Sequence, residues 1–105
     1  MPRNYSNDRR DKNEWKLIRK MQSLEYAGPG ERCSLSFIKL RPGQGCDLVV
    51  STPRWTEHVE IKNPDERWEL TPDEERLKGE LESIGRRLWV LETERDVVSM
   101  WEMLG

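Results

Sequence analysis

The residues of this chain best suited to chemistry are two acids and a lysine within two short apolar segments, GCDLVV and HVEIKN. Both segments have the pattern of short strands, in which successive side chains point to opposite faces, with acid on one face and Leu, Val or Ile on the other. If these strands are neighbours, Asp47, Glu60 and Lys62 converge on one small patch. Two adjacent carboxylates repel each other unless a cation lies between them. A divalent metal with a lysine beside its bound water is the outline of a hydrolytic site.

The same three residues also fit a simpler interpretation. A strand face exposed to water can carry acids and a lysine in an ion pair that adds little stability. A second Glu-x-Lys triplet, at residues 14–16, shows that the triplet alone means little. The strand context of Glu60-Ile61-Lys62, with Asp47 thirteen residues earlier, raises this copy above chance, but both interpretations remain open at this point.

Two further glutamates interrupt the apolar pattern of predicted helices. Glu14 lies on, or at the edge of, the inward face of the first helix, and Glu74 holds a similar place on the second. Both also lie near helix starts, where the helix dipole favours carboxylates. For Glu74 this second explanation is as good as the first, because Thr71 and Glu74 can form a capping box. For Glu14 it is weaker, because the helix begins several residues earlier.

The composition predicts one small domain. Of the 105 residues, 34% are hydrophobic and 36% are charged, which indicates a thin core that dimerisation would complete. We expect residues 1–7 to form a flexible basic tail and residues 8–105 to form a single domain. The sequence has no run of 18 apolar residues and no apolar segment near its start. We therefore expect neither a membrane span nor a signal peptide, and a cytoplasmic location.

Cysteine and histidine usage argues against several classes of site. Cys33 and Cys46 lack the spacing of a zinc site, and we expect both to be reduced and buried thiols. His58 is the one histidine of the sequence, so a Ser-His-Asp or Cys-His hydrolase is a poor fit. Residues 1–20 carry seven Lys or Arg against three Asp or Glu, and this basic end could contact phosphates or be a solvated tail.

Seven elements must position these residues. Helical periodicity over residues 8–27 is followed by three strand patterns, and Thr71 then caps a helix that Gly85 ends. A fourth strand precedes a last helix, which Thr93 caps and which turns Val97, Val98, Trp101 and Leu104 inward. The predicted bounds of the strands are 33–40, 45–52, 55–62 and 87–92. The order helix, three strands, helix, strand, helix predicts a single α/β domain.

Four short motifs follow one another along the chain: Glu14 in the first helix, Gly45-Cys46-Asp47-Leu48, Glu60-Ile61-Lys62-Asn63-Pro64, and Leu70-Thr71-Pro72 opening a helix. This order resembles the PD-(D/E)xK nuclease superfamily, and within it the small nucleases of the VRR-Nuc type, which are common in phages and related to Holliday-junction resolvases. The resemblance covers residues 8–104, and it implies a restriction-endonuclease-like domain around a central mixed sheet.

The resemblance also implies a role for each site residue. Asp47 and Glu60 would hold Mg²⁺ or Mn²⁺, helped by the Ile61 carbonyl, and Lys62 would orient or activate the attacking water. Glu14 would complete the acidic cluster. The implied protein is a metal-dependent DNA endonuclease that hydrolyses phosphodiester bonds, selects branched or junction DNA, acts as a homodimer and, if encoded by a phage, works in the host cytoplasm.

This sequence departs from the family pattern at two positions. Cys46 stands where the family carries proline, and Glu74 stands where members often carry glutamine, which puts a polar DNA contact from that position in doubt. Two other functions remain possible at this point: a non-catalytic nucleic-acid-binding or assembly module on the same fold, and an RNA-directed nuclease. The sequence contains nothing that discriminates DNA from RNA.

Overall fold

The predicted order of elements is confirmed. The computed structural model describes residues 8–26 and 34–105, so the predictions for the 1–7 tail and for Cys33 lie outside the described residues. The elements are α1 (Asp8–Leu24), β1 (Ser36–Lys39), β2 (Leu48–Ser51), β3 (Thr56–Ile61), α2 (Pro72–Ser83), β4 (Leu88–Leu91) and α3 (Glu94–Leu104). None of the helices described is long and apolar enough to cross a membrane.

The four strands form one mixed sheet in the order β1-β2-β3-β4. Strands β1, β2 and β3 are antiparallel neighbours, whereas β4 runs parallel to β3 and is reached through α2. The register pairs Leu48 with Val59, and the main-chain N–H of Asp47 continues the pairing by donating to the Val59 carbonyl at 3.1 Å. The two segments that carry the candidate site residues are therefore neighbours, which meets the condition for Asp47, Glu60 and Lys62 to converge.

Most elements are shorter than predicted. The first helix ends at Leu24 rather than at residue 27, and β2 begins at Leu48 rather than at Gly45. The delay in β2 has a local cause, because Gly45 has a φ of 93°, which is outside the strand region. A Cβ atom on Gly45 would lie 2.8 Å from the Leu77 Cβ of α2, so glycine also permits the close approach of this turn to α2.

We predict that Gly45→Ala destabilises the fold by about 1–3 kcal/mol, because it adds strain at positive φ and overlaps Leu77. Gly79→Ala is the matched control. No atom lies within 4 Å of a Cβ built there, and alanine in a helix interior should stabilise by up to about 1 kcal/mol. Urea unfolding of both variants checks this. Equal stability of the Gly45→Ala variant and the wild type would show that the turn adjusts freely.

The main core lies between one face of the sheet and helices α1 and α3. Strand residues Leu48, Val50 and Val59 are fully buried there, on the strand faces predicted to be opposite the acids. The apolar stripe of α1 covers them with Leu17, Ile18 and Met21. From α3, Val97, Met100 and Trp101 are buried, whereas Val98 and Leu104, which we also expected to turn inward, are half-buried.

The opposite face of the sheet is covered by α2, where Cys46, Leu81 and Leu88 form a smaller core. The predicted capping box fixes the start of α2: the Thr71 hydroxyl accepts from the Glu74 N–H at 3.2 Å, and Glu74 Oε1 accepts from the Thr71 N–H at 2.9 Å. This box places the side chain of Glu74 beside the end of β3, where the candidate site residues lie.

Candidate functional site

A cleft of about 400 Å³ opens at the edge of the sheet where β1 ends, β2 begins and β3 ends. Five acidic residues line it: Glu14, Asp47, Glu60, Asp73 and Glu74. The basic residues Lys39 and Arg41 also line the cleft. All three acids predicted to form the site therefore meet in one place, although they come from α1, from the turn before β2 and from β3.

Asp47 is held by its neighbours on both sides. Its carbonyl accepts from the Leu40 N–H at 2.8 Å, and its side chain oxygen Oδ2 accepts from the Ile61 N–H, also at 2.8 Å. The second bond fixes the carboxylate beside residue 61, whose main-chain carbonyl is the third predicted metal ligand. The Ile61 side chain belongs to the core, and only 1% of the residue is exposed.

Glu60 is fully buried, with 0% of the residue exposed. Burial, the charge of Asp47 and the contact with Glu74 together raise the pKa of its carboxyl group to about 8, against the opposing effect of Lys62. The solvated strand face of the simpler interpretation is therefore wrong. An acid completely removed from water and next to another carboxylate is costly to ionise, which is typical of functional sites.

Lys62 bridges two elements of the site. Its Nζ lies 3.1 Å from Glu60 Oε2 and 2.9 Å from Glu74 Oε1, and its side chain is only 12% exposed. Burial alone would lower the pKa of Lys62, but the contacts with Glu74 and Glu60 outweigh burial and raise it. The ammonium therefore stays charged. Asn13 of α1 fixes the backbone here, because its side-chain Nδ2 donates to the Lys62 carbonyl at 2.9 Å.

Glu14 and Glu74 border the same cleft, at 7% and 8% exposure. Glu14 Oε2 forms an ion pair of 3.0 Å with Lys39 Nζ at the end of β1. Burial raises the pKa of Glu74, but the hydrogen bonds from Lys62 and from the Thr71 N–H outweigh it and lower the pKa. Glu74 therefore both caps α2 and holds the lysine, so the two explanations for its position apply together.

Sequence reasoning missed Lys39 and Asn13. Lys39 lies on an edge strand with a half-exposed side chain, and nothing in its local sequence distinguishes it from a solvated lysine. Asn13 lies 49 residues from the Lys62 carbonyl to which it donates. One signal was present for Asn13: it directly precedes Glu14, on the helix that had to approach the site.

Cys46 lines the cleft but has no nucleophilic character. Burial and the nearby charge of Glu60 raise the pKa of its thiol to about 11, so the group stays protonated at neutral pH. It is a free thiol with 6% exposure, as predicted for this cysteine. Its Sγ donates to the Leu48 carbonyl at 3.4 Å, which is a structural contact at the start of β2.

The donor set can be tested against a metal ion. Within residues 8–26 and 34–105, no group of three or more His, Cys, Asp or Glu side chains is arranged to hold one unaided. Mg²⁺, however, is commonly bound by one or two carboxylates and completes its shell with water and substrate phosphates. Asp47, Glu60 and the Ile61 carbonyl would supply an all-oxygen set of that kind, a chemistry that suits Mg²⁺ or Mn²⁺.

The raised pKa of Glu60 predicts a pH-dependent stability in the absence of metal. Its folded-state pKa of about 8 exceeds its usual 4.5. The contribution of Glu60 to the free energy of unfolding is therefore complete below pH 4.5 and is lost as the pH rises to 8. We expect the free energy of unfolding, measured in EDTA, to fall across this window relative to Glu60→Gln. The loss is roughly 1.4 kcal/mol per unit of pKa elevation. Parallel pH profiles of the two proteins would contradict this prediction.

No protein-family model matches this chain, and a search of curated proteins found no similar sequence. The resemblance to PD-(D/E)xK nucleases therefore stays a prediction, and the function has to be argued from the cleft.

Proposed function

We propose that this protein is a Mg²⁺- or Mn²⁺-dependent DNA endonuclease with a restriction-endonuclease-like fold. One observation carries the proposal: Asp47 and Glu60, on neighbouring strands, line the same cleft, and Lys62 reaches Glu60 at 3.1 Å. Two carboxylates that can hold a metal, beside a buried lysine that can position water, suit metal-assisted hydrolysis of a phosphodiester. Packing does not explain them, because buried charges destabilise a fold more readily than they stabilise it.

Each site residue has a role that follows from its contacts. Asp47 and Glu60, with the Ile61 carbonyl, would hold the metal, which when bound lowers the pKa of water and neutralises phosphate charge. The Ile61 N–H keeps Asp47 in place at 2.8 Å. Lys62 would orient the attacking water and donate to a phosphate oxygen. Glu14 would hold outer water molecules and position Lys39, its partner at 3.0 Å.

We also propose that the enzyme is a homodimer that selects branched DNA. Two strands of a junction or duplex require two clefts, which a symmetric pair of chains supplies. The thin core supports this, as does β1, an edge strand with Ile38 61% exposed. Sedimentation equilibrium of the protein tests the dimer, and a monomer at micromolar concentration with full activity would contradict it.

The function is tested with labelled DNA of one sequence as single strand, duplex, flap and four-way junction, and with the matched RNAs. Each is incubated with Mg²⁺, Mn²⁺ or EDTA. We expect cutting of DNA that requires the metal. If only the RNAs are cut, the substrate is RNA and not DNA. If the protein binds DNA without cutting it, and calorimetry shows no metal binding, the protein is a binding module and not a nuclease.

We predict that Glu14→Gln slows cleavage by about 10-fold, an effect typical of a residue that supports metal ligands from outside. Glutamine keeps the shape and can still accept a hydrogen bond from Lys39, so the fold should be unaffected. Single-turnover cleavage and calorimetric Mg²⁺ binding measure the effect. A loss as large as that of an Asp47 variant would make Glu14 a direct metal ligand.

A further inference from the structure

We propose that Trp15 and Trp68 stack on unpaired bases of the bound DNA, so that the preferred substrate has unpaired nucleotides next to the scissile phosphate. The inference rests on the proposed nuclease function and names the substrate class of the same cleft. Each of these two tryptophans lies beside a lysine of the site, and each is partly exposed.

The five tryptophans of the chain fall into two groups. Trp89 and Trp101 are buried in the core at 6% and 9% exposure, and Trp55 packs edge-to-face on Trp101 at 4.8 Å between ring centroids. Trp15 and Trp68 are instead 46% and 37% exposed. A thin core gains most from burying its largest side chains, so packing does not account for the exposed parts of these two indoles.

Trp68 lies on the loop between β3 and α2, beside the lysine of the site. Lys62 Nζ is 5.8 Å from the centroid of its ring, and the same Nζ contacts Glu60 and Glu74. The base of a nucleotide is separated from its phosphate by one sugar. A phosphate oxygen near Lys62 therefore places the attached base within reach of the exposed indole.

Trp15 on α1 also lies beside a lysine, as Trp68 does. Lys39 Nζ is 5.8 Å from the centroid of its ring and 3.0 Å from Glu14 Oε2, which lines the cleft. Phe37 packs edge-to-face against the indole, with centroids 6.4 Å apart and ring planes at 88°. This contact orients the ring, while almost half of the residue remains exposed.

A lysine next to an exposed aromatic ring is the combination that binds single-stranded nucleic acid. The cation contacts the backbone while the ring stacks on a base, and each stacked base is worth about 10-fold in affinity. Bases within a duplex are already stacked on one another and must be unpaired before an indole can reach them. The two tryptophans should therefore favour single strands, flaps and junctions over continuous duplex.

The test compares DNA affinity of the wild type with that of the variants Trp15→Ala and Trp68→Ala. Fluorescence anisotropy is measured with Ca²⁺ on one sequence as single strand, flap and duplex. We expect about 10-fold loss per variant on single strand and flap, and less than 2-fold on duplex. Trp→Phe at each position should recover most of the loss, because stacking is retained. Met103→Ala, at a more exposed apolar residue of α3 (67%), is the control and should change nothing.

The outcomes separate this inference from the proposed function. Equal loss on all three DNAs, or no loss on any, would overturn base stacking even if the wild type cuts DNA with Mg²⁺. Selective loss on unpaired DNA in a wild type that cuts nothing would support stacking while the nuclease fails. If Trp15→Ala instead dissociates a dimer and leaves DNA preference unchanged, Trp15 is an interface residue and stacking is overturned at that position.

Discussion

Asp47→Asn should lower metal-dependent DNA cleavage by on the order of 1000-fold or more, which is the scale of losing an essential catalytic group. Asp47 supplies one of only two carboxylates proposed to bind the metal directly, and an amide in its place carries no charge. Single-turnover cleavage of the preferred DNA at saturating Mg²⁺ measures the loss. Calorimetry should show that Mg²⁺ binding is weakened in parallel.

The choice of asparagine rather than alanine follows from the structure. Asp47 Oδ2 accepts the Ile61 N–H at 2.8 Å, and a partly buried N–H without an acceptor would cost about 1–3 kcal/mol. The amide oxygen of asparagine can accept the same bond, whereas Asp47→Ala would mix a folding defect with the loss of the ligand. Near wild-type cleavage by a folded Asp47→Asn variant would refute the metal assignment.

The local parts of this site could be predicted from the sequence. Alternation in the two segments around Asp47 and Glu60 gave their faces correctly, because side-chain direction in a strand depends only on the parity of the position. The capping box of Thr71 and Glu74 is likewise a contact between residues three apart, and it is present as predicted. A second box, with Thr93 and Asp96 at the start of α3, could have been found by the same rule.

The parts that depend on tertiary packing could not be predicted. The complete burial of Glu60 requires α2 to cover the second face of the sheet. The helical periodicity of α2 does not show where this helix lies relative to β3. The pair of Glu14 and Lys39 requires both the register of β1 and the placement of α1. Long-range contacts of this kind are fixed by how whole elements pack, which local patterns do not encode.

Burial of an acid alone does not identify the site, as Glu57 shows. It is as buried as Glu14, but it lies at the other end of β3, where its carboxylate accepts from the Trp89 indole N–H at 2.7 Å and pairs with Arg86. The charge of Glu57 is balanced by the Arg86 guanidinium, and the Trp89 N–H donates a hydrogen bond to it. Glu60 and Glu74 share a single lysine, with Asp47 adjacent, and this excess of acidic groups over cations distinguishes the cleft.

The second large prediction concerns Lys62, the lysine that Glu60 and Glu74 share. Lys62→Met should slow cleavage by about 100- to 1000-fold, because it removes the donor proposed to stabilise the charge that develops on the phosphate. Metal affinity should be retained, because Asp47 and Glu60 are intact. Single-turnover cleavage and calorimetric Mg²⁺ binding on the same sample separate the two quantities.

A structural effect of this variant has to be separated from the chemical one, because Lys62 also contacts two buried acids, Glu74 at 2.9 Å and Glu60 at 3.1 Å. Removing it leaves Glu60 and Glu74 facing each other, which should lower the stability of the metal-free protein. The double variant Lys62→Met with Glu74→Gln removes one of those charges and keeps the capping box acceptor for Thr71. If the double variant regains stability but not cleavage, the lysine acts in the reaction. If cleavage returns with stability, the lysine is a structural counter-ion and its proposed catalytic role is wrong.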